Sequence, residues 1–171
     1  MEKTQSFPSR EFEELLANER AKKLLEIDPN TISGVHNRGK ITVACVYKVI
    51  DGDTIKVLYH HGDNVQKIDI RVNGVDTPET RRASDLEKKA GRVVTRIVSN
   101  KIHNRLIAVK FLKKDKYGGR IVGDVYLPGE KSLCEYLIEN KLGHPYTGKT
   151  KKESWTPEEL DYIIGFREED S

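Results

Sequence analysis

Apolar and polar positions alternate along the middle of the chain in a pattern typical of β-strands. Residues 41–50 are rich in Ile and Val, and in 54–60 and 66–72 apolar side chains recur at every second position. A period of two predicts strands that bury one face. Within 66–72 the alternation places Arg71 on the face opposite the isoleucines. We therefore predict three successive strands, the third of which directs Arg71 towards an open face.

The apolar spacing then changes to a helical period. Residues 83–102 bring six apolar side chains to one face: Leu86, Ala90, Val93, Val94, Ile97 and Val98. Spacings of three and four residues predict an amphipathic helix, because 3.6 residues complete one turn. The polar residues between them are expected to face solvent.

The remaining periodic segments complete an order of elements that indicates a fold. Strands are predicted near 105–113 and 120–127, and helices at 9–27, 131–141 and 157–168. Three strands, a helix and two strands form the order of the five-stranded OB-type barrel, whose helix bridges strands three and four. We therefore predict an α+β fold: an OB-fold β-barrel with that bridging helix, C-terminal helices and an extra N-terminal helix.

The length of 171 residues suits one domain with modest appendages. We predict an N-terminal helix and linker at 1–40, the barrel domain at 41–147, and a basic loop followed by an acidic helix at 148–171. Cys45 and Cys134 lie far apart in apolar segments, which indicates buried free thiols. The sequence shows no secretory segment and no apolar run of membrane-spanning length, so we expect an intracellular protein without membrane contact. We also expect a monomer.

Charge is distributed unevenly along the chain. Residues 31–152 contain 24 Lys or Arg and 13 Asp or Glu, a net charge of +11, whereas residues 1–30 and 153–171 carry −2 and −6. A central body this basic suits a polyanionic partner such as nucleic acid. A solvated, lysine-rich surface would produce the same pattern. Charge alone does not decide between these two interpretations.

Two short motifs place carboxylates beside predicted strands. Asp51-Gly52-Asp53-Thr54 lies between two strands, where it also fits an ordinary hairpin turn. Asp76-Thr77-Pro78-Glu79 precedes a helix, where it also fits a capping signal. Asp53 and Asp76 stand at the start and end of adjacent strand segments, so a curved sheet would bring them together. Converging oxygen ligands favour a hard cation, most naturally Ca²⁺.

Three further side chains complete a set suited to phosphodiester hydrolysis. Glu79 lies three residues beyond Asp76, close enough to hold or deprotonate a water beside the metal ion. Arg71 and Arg120 supply guanidinium groups that can grip a phosphate and offset the charge of a five-coordinate transition state.

Together these motifs resemble the staphylococcal (thermonuclease-like) nuclease family. The matching residues keep a consistent order over about 41–147: Val49-Ile50-Asp51-Gly52-Asp53-Thr54, Arg71, Val75-Asp76-Thr77-Pro78-Glu79-Thr80, Asp115-Lys116-Tyr117-Gly118 with Arg120, and Leu142-Gly143 leading to Tyr146. The resemblance implies an OB-fold barrel and Ca²⁺-dependent hydrolysis of DNA and RNA that leaves 3′-phosphates.

The resemblance also implies a role for each matching residue. Two carboxylates and one backbone carbonyl would bind the metal ion: Asp53, Asp76 and Thr77. Glu79 would be the catalytic glutamate, and Arg71 and Arg120 would bind the phosphate. Three further side chains would contact the nucleotide: Lys116, Tyr117 and Tyr146.

This chain departs from the family pattern at two places. An additional glycine, Gly119, precedes Arg120, and His144-Pro145 stands where the family usually has alanine after Leu-Gly. The paired glycines either loop out and leave Arg120 in place or displace its guanidinium group. A misplacement of about one ångström can reduce a rate by roughly a hundredfold.

Three functional hypotheses follow from the sequence. The first is a metal-dependent nuclease acting on DNA, RNA or both. The second is an OB-fold module of the same family that binds nucleic acid or protein without cutting. The third is a domain that recruits a protein partner through residues 1–40. Family members that only bind usually lack the carboxylates and arginines that are all present here, so the sequence favours the enzyme.

Overall fold

The computed structural model describes residues 9–29, 39–115, 119–129, 131–148 and 154–168. The strands in these ranges are β1 (Ile41–Asp51), β2 (Thr54–His61), β3 (Asn64–Val72), β4 (Val75–Asp76), β5 (Leu106–Lys114), β6 (Arg120–Tyr126) and β7 (His144–Pro145). The helices are α1 (Ser9–Ala17), α2 (Glu19–Lys22), a 3₁₀ turn (Lys23–Glu26), α3 (Asp85–Ile102), α4 (Leu133–Glu139) and α5 (Pro157–Gly165).

Five of the strands close into a barrel. Their order is β1-β2-β3-β6-β5, and β5 pairs back onto β1. Neighbouring barrel strands are antiparallel except for β3 and β6, which run parallel. The helix α3 connects the third and fourth barrel strands. The structure therefore confirms the predicted α+β fold with an OB-fold barrel and a bridging helix.

The barrel and α3 share one apolar core. Helix α3 buries Val94 and Val98 completely, as its spacing predicted. Inside the barrel the rings of Tyr59 and Phe111 meet edge to face, with centroids 5.0 Å apart. This geometry is favourable for aromatic pairs and fixes the two rings in a fully buried position.

The predicted N-terminal helix at 9–27 is wrong as a continuous element. The chain breaks at Asn18, whose side chain accepts a hydrogen bond from the Arg20 backbone N–H at 2.8 Å and caps α2. Asparagine is favoured at such caps because its side chain replaces the missing helical partner. The segment still packs on the outside of the barrel, where Phe12 and Leu24 are each 1% exposed.

Two of the helices are also shorter than predicted. Helix α5 ends at Gly165 rather than at 168, because Phe166 adopts an extended conformation with ψ 135°. Helix α4 covers Leu133–Glu139 within the predicted 131–141. Ser132 caps α4 with a complete capping box, which explains its start.

A small second sheet was not predicted. Strand β4 pairs with β7, with Val75 opposite Pro145 and Asp76 opposite His144. Two-residue strands carry no detectable alternation, so a hydrophobic pattern cannot reveal them. This pairing brings the segment after α4 beside Asp76.

Both cysteines are free: Cys45 is buried, and Cys134 is only partly so. Burial raises the pKa of each thiol to about 11. Among the described helices, none combines the length and the apolar character needed to cross a bilayer.

Candidate active site

A cleft of about 750 Å³ opens at one end of the barrel. It lies where the β1–β2 turn, the β3–β4 connection and the ends of β5 and β6 meet. Its walls contain most of the sequence-predicted site residues: Asp53, Arg71, Asp76, Thr77, Glu79, Arg120 and Tyr146. The fold therefore gathers residues that lie far apart in the sequence, as the curved sheet was expected to do.

Two aspartates lie together on the floor of the cleft. Asp53 and Asp76 are only 7% and 8% exposed, and both contact the same atom, Nη2 of Arg71, at 3.1 and 3.3 Å. Asp53 also accepts hydrogen bonds from the Thr77 backbone N–H and the Thr54 hydroxyl, each at 3.1 Å. The predicted convergence of these two carboxylates is thus present.

A glycine makes this close arrangement possible. A Cβ on Gly52 would lie 2.6 Å from Cγ1 of Val94 and 2.8 Å from Oγ1 of Thr77. Any larger residue would push the β1–β2 turn away from both neighbours. Gly52 therefore sets the position of the flanking Asp51 and Asp53 against Thr77.

A third aspartate belongs to the same cluster, although the sequence analysis did not select it. Oδ1 of Asp51 is buried and has no hydrogen-bond partner within the described part of the chain. Burial and the neighbouring Asp53 carboxylate raise the pKa of Asp51 to about 7. Asp51 and Asp53 flank Gly52 at the β1–β2 turn, and the presence of a second carboxylate in that short motif was the available signal.

Arg71 is held firmly within the cluster. Besides the two aspartates, its guanidinium donates from Nη1 to the carbonyls of Val72 at 3.1 Å and Val75 at 2.8 Å. Its Cζ lies 5.5 Å from the centre of the Tyr146 ring, within cation–π range. Arg71 is therefore fixed in direction, which limits the entropy it loses when it binds an anion.

Arg120 also lies at the cleft, despite the additional glycine before it. Asp115 holds its guanidinium, with Oδ2 2.8 Å from Nε and 2.5 Å from Nη2. The Arg120 Nη1 lies 3.4 Å from the hydroxyl of Thr54. Gly119 takes a φ of +71°, a left-handed conformation that suits glycine at the end of a hairpin.

Glu79 occupies an exposed position on the rim of the cleft. Its backbone N–H donates to Oε1 of Glu87, in the first turn of α3, at 3.0 Å. A Cβ on Gly91 would lie 2.6 Å from the Pro78 carbonyl oxygen and 2.8 Å from that of Glu79. The segment that carries Glu79 therefore rests directly on α3.

Two predicted nucleotide contacts, Lys116 and Tyr117, lie outside the described residues. The preceding residues Lys113 and Lys114 are exposed and line the cleft. The predicted contact Tyr146 also lines it, and its backbone N–H donates to the Gly74 carbonyl at 2.9 Å.

The carboxylate oxygens in the cleft determine which kind of metal ion it could bind. Within the described ranges, no three His, Cys, Asp or Glu side chains form a ready metal site. A hard cation accepts backbone and water oxygens beside carboxylates, so two aspartates can serve as the protein anchor. The buried Oδ1 of Asp51, which has no partner within the described part of the chain, is a further oxygen that a cation could bind. The residues present therefore fit an oxygen-binding divalent cation.

The arrangement combines three chemical capacities in one cleft. The aspartates offer oxygen ligands, the two arginines offer guanidinium donors for an oxyanion, and Glu79 offers an exposed carboxylate beside them. Anionic phosphate esters are the substrates for which such a set is suited.

Comparisons with known proteins agree with this architecture. A family model described as staphylococcal nuclease homologue matches residues 69–162. Endonuclease YncB of Bacillus subtilis (strain 168) is 31% identical over 121 residues, which cover 67% of this chain and 54% of that protein. Thermonuclease of Staphylococcus hyicus is also 31% identical over 121 residues, which cover 70% of this chain and 68% of that protein. The match spans about half of the endonuclease's length.

The family model covers the chain from the last residues of β3 through α3, β5 and β6 into α5. This chain belongs to the staphylococcal nuclease homologue family.

Proposed function

We propose that this protein is a Ca²⁺-dependent nuclease that hydrolyses phosphodiester bonds of DNA, RNA or both. The observation that carries this proposal is the meeting of five side chains in one cleft: Asp53, Asp76, Arg71, Arg120 and Glu79. The printed names of both relatives, an endonuclease and a thermonuclease, support the same activity.

We assign the metal site to Asp53, Asp76 and the carbonyl of Thr77. When bound, Ca²⁺ would supply positive charge beside the scissile phosphate. Asp51 adds a buried carboxyl group next to these residues. Each of the two aspartates already lies within 3.3 Å of the same Arg71 nitrogen, so the proposed metal ligands and the proposed phosphate-binding arginine are neighbours.

The protein groups have distinct roles in the proposed reaction. Glu79 holds a water and accepts its proton as the water attacks phosphorus. Arg71 and Arg120 bind the non-bridging oxygens and stabilise the charge that develops on them. In-line attack breaks the bond to the 5′-oxygen and leaves a 3′-phosphate. Lys116, Tyr117 and Tyr146 are proposed to contact the nucleotide on either side.

Asp115 and Thr54 are proposed to position Arg120. The Asp115 carboxylate is bound to two nitrogen atoms of that guanidinium. A guanidinium oriented in advance loses less entropy when it binds a phosphate. All the residues of the cleft come from one chain, so we propose that a monomer is sufficient for activity.

The proposal is tested by incubating plasmid DNA and single-stranded RNA with the wild type in Ca²⁺ or in chelator. Glu79→Gln and Arg120→Ala are compared with Glu158→Gln, which changes an exposed glutamate on α5. We expect cutting that requires Ca²⁺, persists in Glu158→Gln and falls by about a hundredfold or more in the two site variants. Binding without cutting by the wild type would instead indicate a non-catalytic module.

A further inference from the structure

Helices α3, α4 and α5 begin with the same sequence pattern, a Ser or Thr followed three residues later by Glu. The pairs are Ser84 and Glu87 in α3, Ser132 and Glu135 in α4, and Thr156 and Glu159 in α5. In this capping box, the hydroxyl oxygen accepts from the backbone N–H of the Glu, and the carboxylate accepts from the backbone N–H of the Ser or Thr. The pattern therefore predicts the same two hydrogen bonds at the start of each helix.

The glutamates of α4 and α5 form the predicted bonds. The Glu135 carboxylate accepts from the Ser132 N–H at 2.9 Å, and the Glu159 carboxylate accepts from the Thr156 N–H at 2.9 Å. In both helices the reciprocal bond from the glutamate N–H to the hydroxyl oxygen is also present. Both side chains therefore cap the helix that carries them.

The corresponding carboxylate in α3 binds a different partner. The Glu87 N–H donates to Oγ of Ser84 at 3.2 Å, so the first half of the capping box is present. The carboxylate oxygen Oε1 of Glu87 instead accepts from the backbone N–H of Glu79 at 3.0 Å, eight residues earlier in the chain. The side chain expected to cap α3 thus holds the backbone of the proposed general base.

Helix α3 contacts the Glu79 backbone at a second point. Gly91 lies one turn after Glu87 on the same side of the helix. A Cβ on Gly91 would lie 2.6 Å from the carbonyl oxygen of Pro78 and 2.8 Å from that of Glu79. The peptide groups before and after the Glu79 Cα are therefore both held against α3. Because these two peptide groups fix the direction of the Cα–Cβ bond, they also fix the direction in which the Glu79 side chain leaves the backbone.

The connection between Glu79 and α3 is short and conformationally strained. Four residues, 80–83, separate Glu79 from the N-cap residue Ser84. Among them Arg82 has a φ of +52°, in the left-handed region that residues with a side chain rarely adopt. Such a conformation persists where the surrounding contacts determine it. Without the hydrogen bond to Glu87, the connection could relax and move Glu79 with it.

We propose that Glu87 is a positioning residue for the general base Glu79: its carboxylate holds the Glu79 backbone so that the Glu79 side chain points at the attacking water. The proposal rests on the proposed nuclease function and deepens it at the same site. Glu87 supplies orientation and not charge, so an uncharged acceptor of the same shape should replace it. Because Arg71 and Arg120 are the groups proposed to hold the phosphate, loss of the hydrogen bond should lower kcat and leave KM nearly unchanged.

The test compares two substitutions of Glu87 with a matched loss of charge. Glu87→Ala removes the acceptor, whereas Glu87→Gln keeps an amide oxygen at that place without the charge. Asp85→Ala is the control, because Asp85 is an exposed carboxylate in the same first turn of α3, where it pairs with Lys88 at 3.6 Å. Circular dichroism and urea denaturation check that each variant is folded.

Activity is measured with Ca²⁺ on plasmid DNA or single-stranded RNA, whichever the wild type cuts. We expect Glu87→Ala to lower kcat by about tenfold and to change KM by less than about twofold, since displacements near one ångström carry costs of up to about a hundredfold. Glu87→Gln and Asp85→Ala should each keep at least about a third of the wild-type kcat. An unchanged kcat in Glu87→Ala would overturn the proposal. An equal loss in Glu87→Gln or in Asp85→Ala would also overturn it, because lost negative charge at the helix N-terminus would then explain the effect.

A double variant tests whether Glu87 acts through Glu79. In the Glu79→Gln protein, the further change Glu87→Ala should lower the rate much less than it does in the wild type, because the group that it positions no longer accepts a proton. The same fold-loss in both proteins would count against a positioning role.

Hydrogen exchange gives a readout that does not depend on cutting. The amide proton of Glu79, followed by NMR, should exchange about tenfold faster in Glu87→Ala than in the wild type, with Glu87→Gln between the two. An unchanged exchange rate in Glu87→Ala would overturn the proposal. If the wild type cuts no nucleic acid, the nuclease function fails, while the exchange rate still decides whether Glu87 holds the Glu79 backbone.

Discussion

The imidazole ring of His144 stacks on the indole ring of Trp155, with centroids 3.7 Å apart and planes inclined by 12°. The same imidazole lies 2.8 Å, Nε2 to Oε1, from Glu159 in the first turn of α5. His144 pairs with Asp76 in the small sheet, and Tyr146 follows two residues later. The residue Trp155 before α5 and Glu159 in the first turn of that helix thus support the back of the cleft through His144.

Replacing Trp155 by alanine should therefore weaken both stability and substrate binding. We expect the free energy of unfolding to fall by about 2–3 kcal/mol, because a large half-buried ring is lost. KM should rise more than kcat falls, since Tyr146 is proposed to contact the nucleotide and not the reacting atoms. Urea denaturation followed by circular dichroism and steady-state kinetics measure the two effects.

Trp155→Phe is the matched control for this change. It keeps an aromatic ring against His144 and should lose about half as much stability. A Trp155→Ala variant with unchanged KM would show that the support of β7 does not depend on the stack.

Asp51→Asn should stabilise the protein in chelator at neutral and alkaline pH. The pKa of Asp51 is raised from 3.8 to about 7, chiefly by burial. Between these values the folded state holds a proton that the unfolded state has released, so stability falls as pH rises through this window. Asparagine removes the penalty, which we expect to be about 1–3 kcal/mol above pH 7.

The pH dependence provides the control for that prediction. The stabilisation by Asp51→Asn should shrink as the pH falls towards 3.8, because below that value the folded and unfolded states both hold the proton. Asp161→Asn changes an exposed carboxylate on α5 and should show no such trend. Thermal unfolding of the wild type and of the variants in chelator from pH 4 to 8 measures this trend. A stability difference between Asp51→Asn and the wild type that stays constant across that range would contradict the raised pKa of Asp51 as its cause.

Gly91→Ala should impair activity although alanine is the better helix former. A methyl group at this position would stand 2.6 Å from the Pro78 carbonyl oxygen, so the segment carrying Glu79 must move. We expect kcat/KM to fall by about tenfold to a hundredfold, because displacements near one ångström carry costs of this size. Plasmid cleavage under Ca²⁺ is the measurement.

Gly165→Ala is the matched control, since among the described residues no atom lies within 4 Å of its added Cβ. That variant also gains helix propensity, by about 1 kcal/mol at most, and should keep full activity. Similar activities of the two alanine variants would show that the Pro78–Glu79 segment adapts without cost.

Leu24→Ala should destabilise the protein, whereas Leu25→Ala should not. Leu24 is 1% exposed and packs with Cys45 and Leu58 on the outer face of the barrel, while Leu25 is 49% exposed. Leu24→Ala should lower the free energy of unfolding by about 2–4 kcal/mol, and Leu25→Ala by less than about 0.5 kcal/mol. Urea denaturation of the two variants compares them directly, and equal losses would contradict the packing of this segment.

The sequence was most informative where a side-chain period extended over several residues. The alternation in β2 and β3 and the helical spacing in α3 specified the barrel, because burial of one face constrains every second or every third to fourth residue. The break at Asn18 was missed, since its flanking residues continue the helical spacing and only the local cap reveals it.

The candidate site was predictable to the extent that it depends on motifs. Asp53 and Asp76 were expected to converge, and they do. The raised pKa of Asp51 could not be foreseen, because it depends on burial and on a neighbouring carboxylate. The backbone carbonyls that hold Arg71 belong to a short strand and its turn, which leave no periodic signal.

The parallel pairing of β3 and β6 joins Asp69 to Arg120 and Arg71 to Val122 in one hydrogen-bonded ladder. The backbone separation of the two arginines is consequently set by adjacent barrel strands, while Asp115 in the preceding hairpin orients the Arg120 guanidinium. The additional glycine before Arg120 is therefore compatible with a fixed backbone spacing between the two arginines, which the paired strands set independently of the length of the hairpin.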